Sequence, residues 1–171
     1  MIFSAGTAGT ILENHLLSKT NAVRILEKSK IDFTIAEYEV DEEALDAVSV
    51  ANKIKAEIET VFKTLIAQGD KNGINVFVIP GNYELDLKKA AKISGNKKIE
   101  MIKMKELLPL TGYIRGGCSP IGMKKTYPTY IDETSQLFNK IYVSGGIRGM
   151  QICLKSDDLL NVVSAEYSDL V

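Results

Sequence analysis

A lysine interrupts an otherwise apolar run in the segment "ETVFKTLIAQGD". Val61, Phe62, Leu65 and Ile66 read as a strand. Side chains alternate between the faces of a strand, so Lys63 shares one face with Val61 and Leu65. An ammonium between aliphatic neighbours either reaches water at a sheet edge, its stem lying over apolar surface, or stands in a pocket. In a pocket it could fix a substrate group. On the strand pattern alone the solvated edge is the commoner outcome.

The other reactive side chains narrow the chemistry by elimination. The single histidine, His15, falls within the first 18 residues, so a Ser–His or Cys–His pair would lack a base from the main domain. Cys118 and Cys153 make no disulfide framework, and with one histidine they cannot assemble an ordinary structural zinc site. Cys118 has no basic neighbour to draw out a thiolate, which favours packing over nucleophilic attack. No GxxxxGK[ST] loop is present, and "SGGIRG" (residues 144–149) lacks both GxGxxG spacing and a following ribose-binding carboxylate. Lysine, carboxylates, hydroxyls, backbone amides and the substrate's own groups remain. Neither a metal nor a cofactor is required by them.

Composition bounds the class. With 171 residues, 45% hydrophobic and 25% charged, the chain can bury the core of one globular domain. A net charge of −1 argues against a protein that grips nucleic acid by charge alone, though not against a small pocket for an RNA end. No run approaches the roughly 20 apolar residues of a membrane helix. The cysteine usage points to the cytoplasm. Residues 1–18 lack the basic start of a signal peptide and read as an N-terminal extension whose origin, native or artificial, is open; residues 19–171 read as the domain.

The elements that must position Lys63 follow from pattern. "KTNAVRILEKSKI" predicts a helix capped by Thr20 or Asn21, and "DFTIAEYEV" a strand. "DEEALDAVSVANKI" predicts a helix opening on its acids, with Leu45, Val48 and Ala51 as the apolar side. The lysine strand, the turn "GDKNG" and "INVFVIPG" predict a hairpin. Next come a helix closed by Gly95, a short helix around residues 105–108 and the glycine-dense "TGYIRGGCSPIG". "KIYVSGG" and "GMQICLK" predict two strands, "SDDLLNVV" a helix capped by Ser156, and "SAEYSDLV" a last short strand or a tail. Hairpin signals mixed with helical crossovers predict an α/β domain with a mixed sheet curled toward a barrel.

Three segments in order, "VFKTL", "TGYIRGGCSPIG" and "VSGGIRGMQI", resemble the YbaK family of aminoacyl-tRNA deacylases, including its EbsC-like branch. The resemblance covers about residues 19–171 and implies the barrel-like editing-domain fold also found in bacterial prolyl-tRNA synthetases. It further implies hydrolysis of mischarged Cys-tRNA(Pro), with prolyl-tRNA synthetase as partner and neither membrane nor DNA involved. Lys63 then matches the functional lysine and Tyr38 a pocket tyrosine. Gly116, Gly117, Cys118, Ser119 and Pro120 match a GxxxP loop shaping the site at the ester, and Ser144, Gly145 and Gly146 the turn opposite. Val40 stands where many members carry histidine. Gln151 replaces an aspartate of well-studied members; it can hydrogen-bond but cannot balance a lysine's charge. Arg148 could meet phosphate or pair with a carboxylate, and Lys97, Lys98, Lys124 and Lys125 read as a solvated face.

Overall fold

The computed structural model describes residues 2–4 and 19–171, so His15 lies outside it. The elements run β1 (Ile2–Ser4), α1 (Asn21–Lys28), β2 (Phe33–Glu37), α2 (Ala47–Ile54), β3 (Phe62–Gly69), β4 (Gly73–Pro80), α3 (Leu87–Ile93) and β5 (Ile99–Met101). They continue as α4 (Met104–Thr111), β6 (Thr129–Asp132), β7 (Ile141–Ser144), β8 (Met150–Leu154), α5 (Ser156–Val162) and β9 (Glu166–Ser168). The strands form two sheets, ordered β1-β2-β8-β7 and β5-β3-β4-β6-β9. The first is antiparallel throughout. The second is mixed: β3 pairs antiparallel with β4 and β5, whereas β6 runs parallel to β4 and β9. A lone parallel bridge, Val61 to Tyr142, joins the sheets. Closure into the expected barrel is not among the pairings of the described residues.

Local chemistry explains most boundaries. Thr20 accepts from the Val23 amide at 3.2 Å and starts α1. The hairpin register runs from Phe62 opposite Pro80 to Gly69 opposite Gly73, and Gly73 makes the turn at φ +81°. Three expectations need correction. α2 begins at Ala47, not at residue 41, because Asp46 caps it by accepting from the Ser49 amide at 2.9 Å. Its buried side is Val50 and Ala51, while Val48 is exposed. Ser156 is the first residue of α5 rather than its cap; Lys155 holds that position, and Asp157 and Asp158 suit the positive end of the helix dipole. β5 and β6 were not anticipated at all.

Two apolar layers flank the mixed sheet. One joins Leu26 of α1, Phe33, Phe62, Val78, Ile131, Ile152 and Leu159 between the two sheets. The other joins Ala67, Phe77, Ile79, Tyr130 and Leu170 to Ala90 and Ala91 of α3. Each large buried side chain contributes roughly 1.5–3 kcal/mol. The outcome that matters for function is that β3 is pinned from both faces.

Candidate functional site

The two halves of β3 have different neighbours. Ala67 to Gly69 pair with β4 on one side and β5 on the other. Phe62 to Leu65 keep β4, but across the opposite edge the described residues supply only the Val61–Tyr142 bridge. A cleft of about 320 Å³ lies at this half-open edge. β3 contributes Lys63, Thr64 and Leu65; α2 and its cap contribute Asp46, Ala47 and Val50. Arg115, Gly116 and Cys118 come from the glycine loop after α4, Ser144 from β7 and Gln151 from β8.

Lys63 is half-buried. Burial pushes its ammonium below the usual lysine range, partly offset by the negative charge of Glu84. None of the ion pairs among the described residues includes it. A half-desolvated cation without a fixed partner is available to a ligand anion or to a developing oxyanion.

The glycine loop reaches the cleft because it docks on the turn between β7 and β8. Gly116 adopts φ +83°, a conformation costly for residues with a Cβ. A Cβ on Gly117 would lie 3.1 Å from Cα of Ile147, so the two backbones touch. Arg148 clasps them, its Nε donating to the Arg115 carbonyl at 2.8 Å. On the turn, a Cβ at Gly145 would meet the Met150 side chain at 2.6 Å, and the Gly146 amide donates to Ser144 Oγ at 3.2 Å. The Cys118 thiol is pushed up to about 12 by burial, against a weaker opposing hydrogen bond from Thr111. It is therefore protonated at neutral pH and a poor nucleophile.

The residues expected at the site thus divide by position. Lys63, Gly116, Cys118, Ser144 and Gln151 line one cleft. Gly117 and Gly145 are buried behind it, and Gly146 takes φ +101° in the turn. Ser119 is fully buried, its hydroxyl accepting from the Ile121 amide, while Pro120 faces a separate cavity of about 250 Å³. Tyr38 lines a neighbouring groove with Val40 and Arg148, and the Lys53 ammonium stands 5.8 Å from its ring centroid. Arg148 lies 3.7 Å from Glu42, the carboxylate alternative for that side chain. Asp46, Thr64 and Arg115 line the cleft without having been singled out. Asp46 was legible as a cap; Thr64 was not, since alternation puts it on the face opposite Lys63.

Residues 41–162, which hold the whole cleft, match the aminoacyl-tRNA editing domain. The chain belongs to this editing family. It is 50% identical over 152 residues to EbsC of Enterococcus faecalis, described as a candidate Cys-tRNA(Pro)/Cys-tRNA(Cys) deacylase, covering 89% of this chain and 93% of that protein. The uncharacterized protein YwhH of Bacillus subtilis is 25% identical over 125 residues, 73% of this chain and 78% of YwhH. The crystal structure of a candidate trans-editing enzyme for prolyl-tRNA synthetase superposes with a TM-score of 0.76 at 25% identity, covering 88% and 94% of the two chains. Hypothetical protein APE2540 shares the fold at a TM-score of 0.80 and 18% identity, over 88% and 99%. Among the described residues of this editing-family chain, no helix is long and apolar enough to cross a membrane.

Proposed function

We propose that this chain deacylates mischarged Cys-tRNA(Pro) in trans, in the cytoplasm and alongside prolyl-tRNA synthetase. One observation carries the reading: within an editing-family domain, an unpaired, half-buried Lys63 shares a cleft with the backbone of a glycine loop. The 50% identity to EbsC supports cysteine as the amino acid. A net charge of −1 suits a division of labour in which the synthetase supplies affinity for tRNA.

The ester must be broken by groups in the cleft and on the substrate. The cysteinyl thiol loses its proton and attacks its own carbonyl carbon. As the tetrahedral oxyanion collapses, the ester C–O bond breaks, the terminal ribose oxygen takes up a proton, and a cyclic thiolactone leaves. Lys63 and amides of the glycine loop stabilise the oxyanion, and the cleft holds thiol and carbonyl close. Lys63 serves as a cation in this scheme, not as a base. In a competing route a bound water attacks the same carbon.

The test is single-turnover deacylation of Cys-, Ala- and Pro-tRNA(Pro) with saturating protein. Cleavage of Cys-tRNA(Pro) alone is expected. Preference for Ala-tRNA(Pro) would reassign the substrate, and binding without cleavage would make the chain a sequestering module. Ser-tRNA(Pro) then separates the routes: a hydroxyl is a far poorer nucleophile than a thiol at neutral pH. Serine and cysteine esters cleaved at equal rates would replace thiol attack with water.

A further inference from the structure

We infer that the cleft selects substrates carrying a free α-ammonium, which the Gln151 amide oxygen and the Thr64 hydroxyl receive. The inference rests on the aminoacyl-ester reading and narrows it: N-acylated esters, such as formylated or peptidyl ones, are refused.

Buried polar atoms in folded proteins are almost always partnered. Among the described residues, four buried side-chain oxygens have no hydrogen bond: Thr64 Oγ1, Asn75 Oδ1, Ser135 Oγ and Gln151 Oε1. Two of these four belong to residues lining the Lys63 cleft. Gln151 is only 5% exposed, and its backbone is fixed between Ala36 of β2 and Ser144 of β7. A carbonyl oxygen held there without a donor is an acceptor that an N–H of a ligand can satisfy.

The charges in the cleft decide which donor. An aminoacyl ester offers one cationic donor, its α-ammonium, and one reactive acceptor, its carbonyl. Lys63 repels the first and attracts the second, so the ammonium must be placed on neutral or anionic acceptors. Gln151 and Thr64 accept hydrogen bonds without neutralising Lys63. The Asp46 carboxylate, also lining the cleft, has both oxygens engaged, by the Ser49 amide at 2.9 Å and its hydroxyl at 2.7 Å. Those bonds hold its carboxyl below the usual carboxylate range, so it stays ionised and adds attraction for the ammonium that the two neutral oxygens receive. Acylating the α-nitrogen removes the charge and two of its three N–H donors, leaving a single neutral N–H for two oxygens.

The test is calorimetric binding by the full chain of three hydrolysis-resistant probes. They are 3′-cysteinylamino-3′-deoxyadenosine, its N-acetyl derivative and the 3-mercaptopropionyl analogue, which lacks the nitrogen. The first should bind about ten- to a hundredfold more tightly than the other two, the range of a hydrogen bond to a charged group. Gln151→Met, similar in shape without the amide, should shrink that ratio to about twofold, and Thr64→Val should reduce it in part. Equal affinities for the three probes, or no measurable binding of any, would overturn the inference. So would full discrimination retained by both variants. Cleavage of Cys-tRNA(Pro), measured separately, keeps the two readings apart. Discrimination without cleavage removes the deacylase, and cleavage without discrimination removes the ammonium site.

Discussion

The two ends of β3 treat buried polar groups in opposite ways. At the hairpin end, Asn96 is 8% exposed and uses its whole amide. Its Oδ1 accepts from the Lys71 and Asn72 amides, and its Nδ2 donates to Ser94 Oγ at 2.8 Å and Asn72 Oδ1 at 2.9 Å. A Cβ at Gly69 would fall 2.4 Å from that Oδ1, so strand and network interlock. Only Asn75 Oδ1 goes unmet in this group. At the other end, Lys63, Thr64 and Gln151 surround a cleft and lack partners for the ammonium, the hydroxyl and the amide oxygen. At the hairpin end all but one of these polar atoms are satisfied within the chain. At the cleft they are left open, as the proposed ligand site requires, at a cost in stability.

The contrast breaks most sharply at Lys63. Lys63→Ala should slow single-turnover deacylation about 10²–10³-fold while the melting temperature stays close to wild type. Lys63→Met, matched in volume, should be equally slow. A methionine variant with near-native rates would return the lysine to a solvated edge.

Asn96→Ala tests the satisfied end. It orphans the Lys71 and Asn72 amides and should lower stability by about 2 kcal/mol in urea unfolding. The rate per folded molecule should not change. A rate that fell further than the folded fraction would join the two ends into one functional unit.

A pH profile sharpens the same division. Deprotonation of Lys63 would remove the charge that the proposed mechanism places at the oxyanion, and burial moves that event below the ordinary value of 10.5. Enzymatic rates, corrected for spontaneous hydrolysis, should therefore fall as pH rises through a point below 10.5, and Lys63→Met should lack that limb. A limb at or above the ordinary value would mean that Lys63 is fully solvated in the working enzyme.

The smallest effect belongs to Cys118. A thiol pushed up to about 12 is protonated at pH 7, so Cys118→Ala should keep the rate within about threefold of wild type. A larger loss, with normal stability, would give the thiol a part in catalysis.

Much of this was readable from local pattern. The hairpin, the cap at Thr20 and the strands flanking residues 145–149 all rest on interactions between near neighbours in the chain. α2 was placed too early because three acids look like a first helical turn. Asp41 instead accepts from the Glu43 amide in a turn, and Asp46 takes the cap. β6 escaped notice because four residues after a proline carry little periodic signal, yet β4 and β9 hold it in the sheet. Tyr38 was grouped with Lys63 by resemblance, whereas the fold gives it the adjoining groove.

By itself the sequence determined that a lysine stands in a strand and that glycines stand where two turns approach each other. Strand periodicity and left-handed backbone geometry are local properties, written in residue type and spacing. It did not determine which edge of β3 stays open, that Thr64 reaches the same cleft as Lys63, or that the Gln151 oxygen is buried without a donor. Those depend on pairings between distant segments: β8 against β2 and β7, β3 against β5, and Val61 against Tyr142. Burial and hydrogen bonding are relations between residues far apart in the chain, and only the tertiary structure brings those residues together.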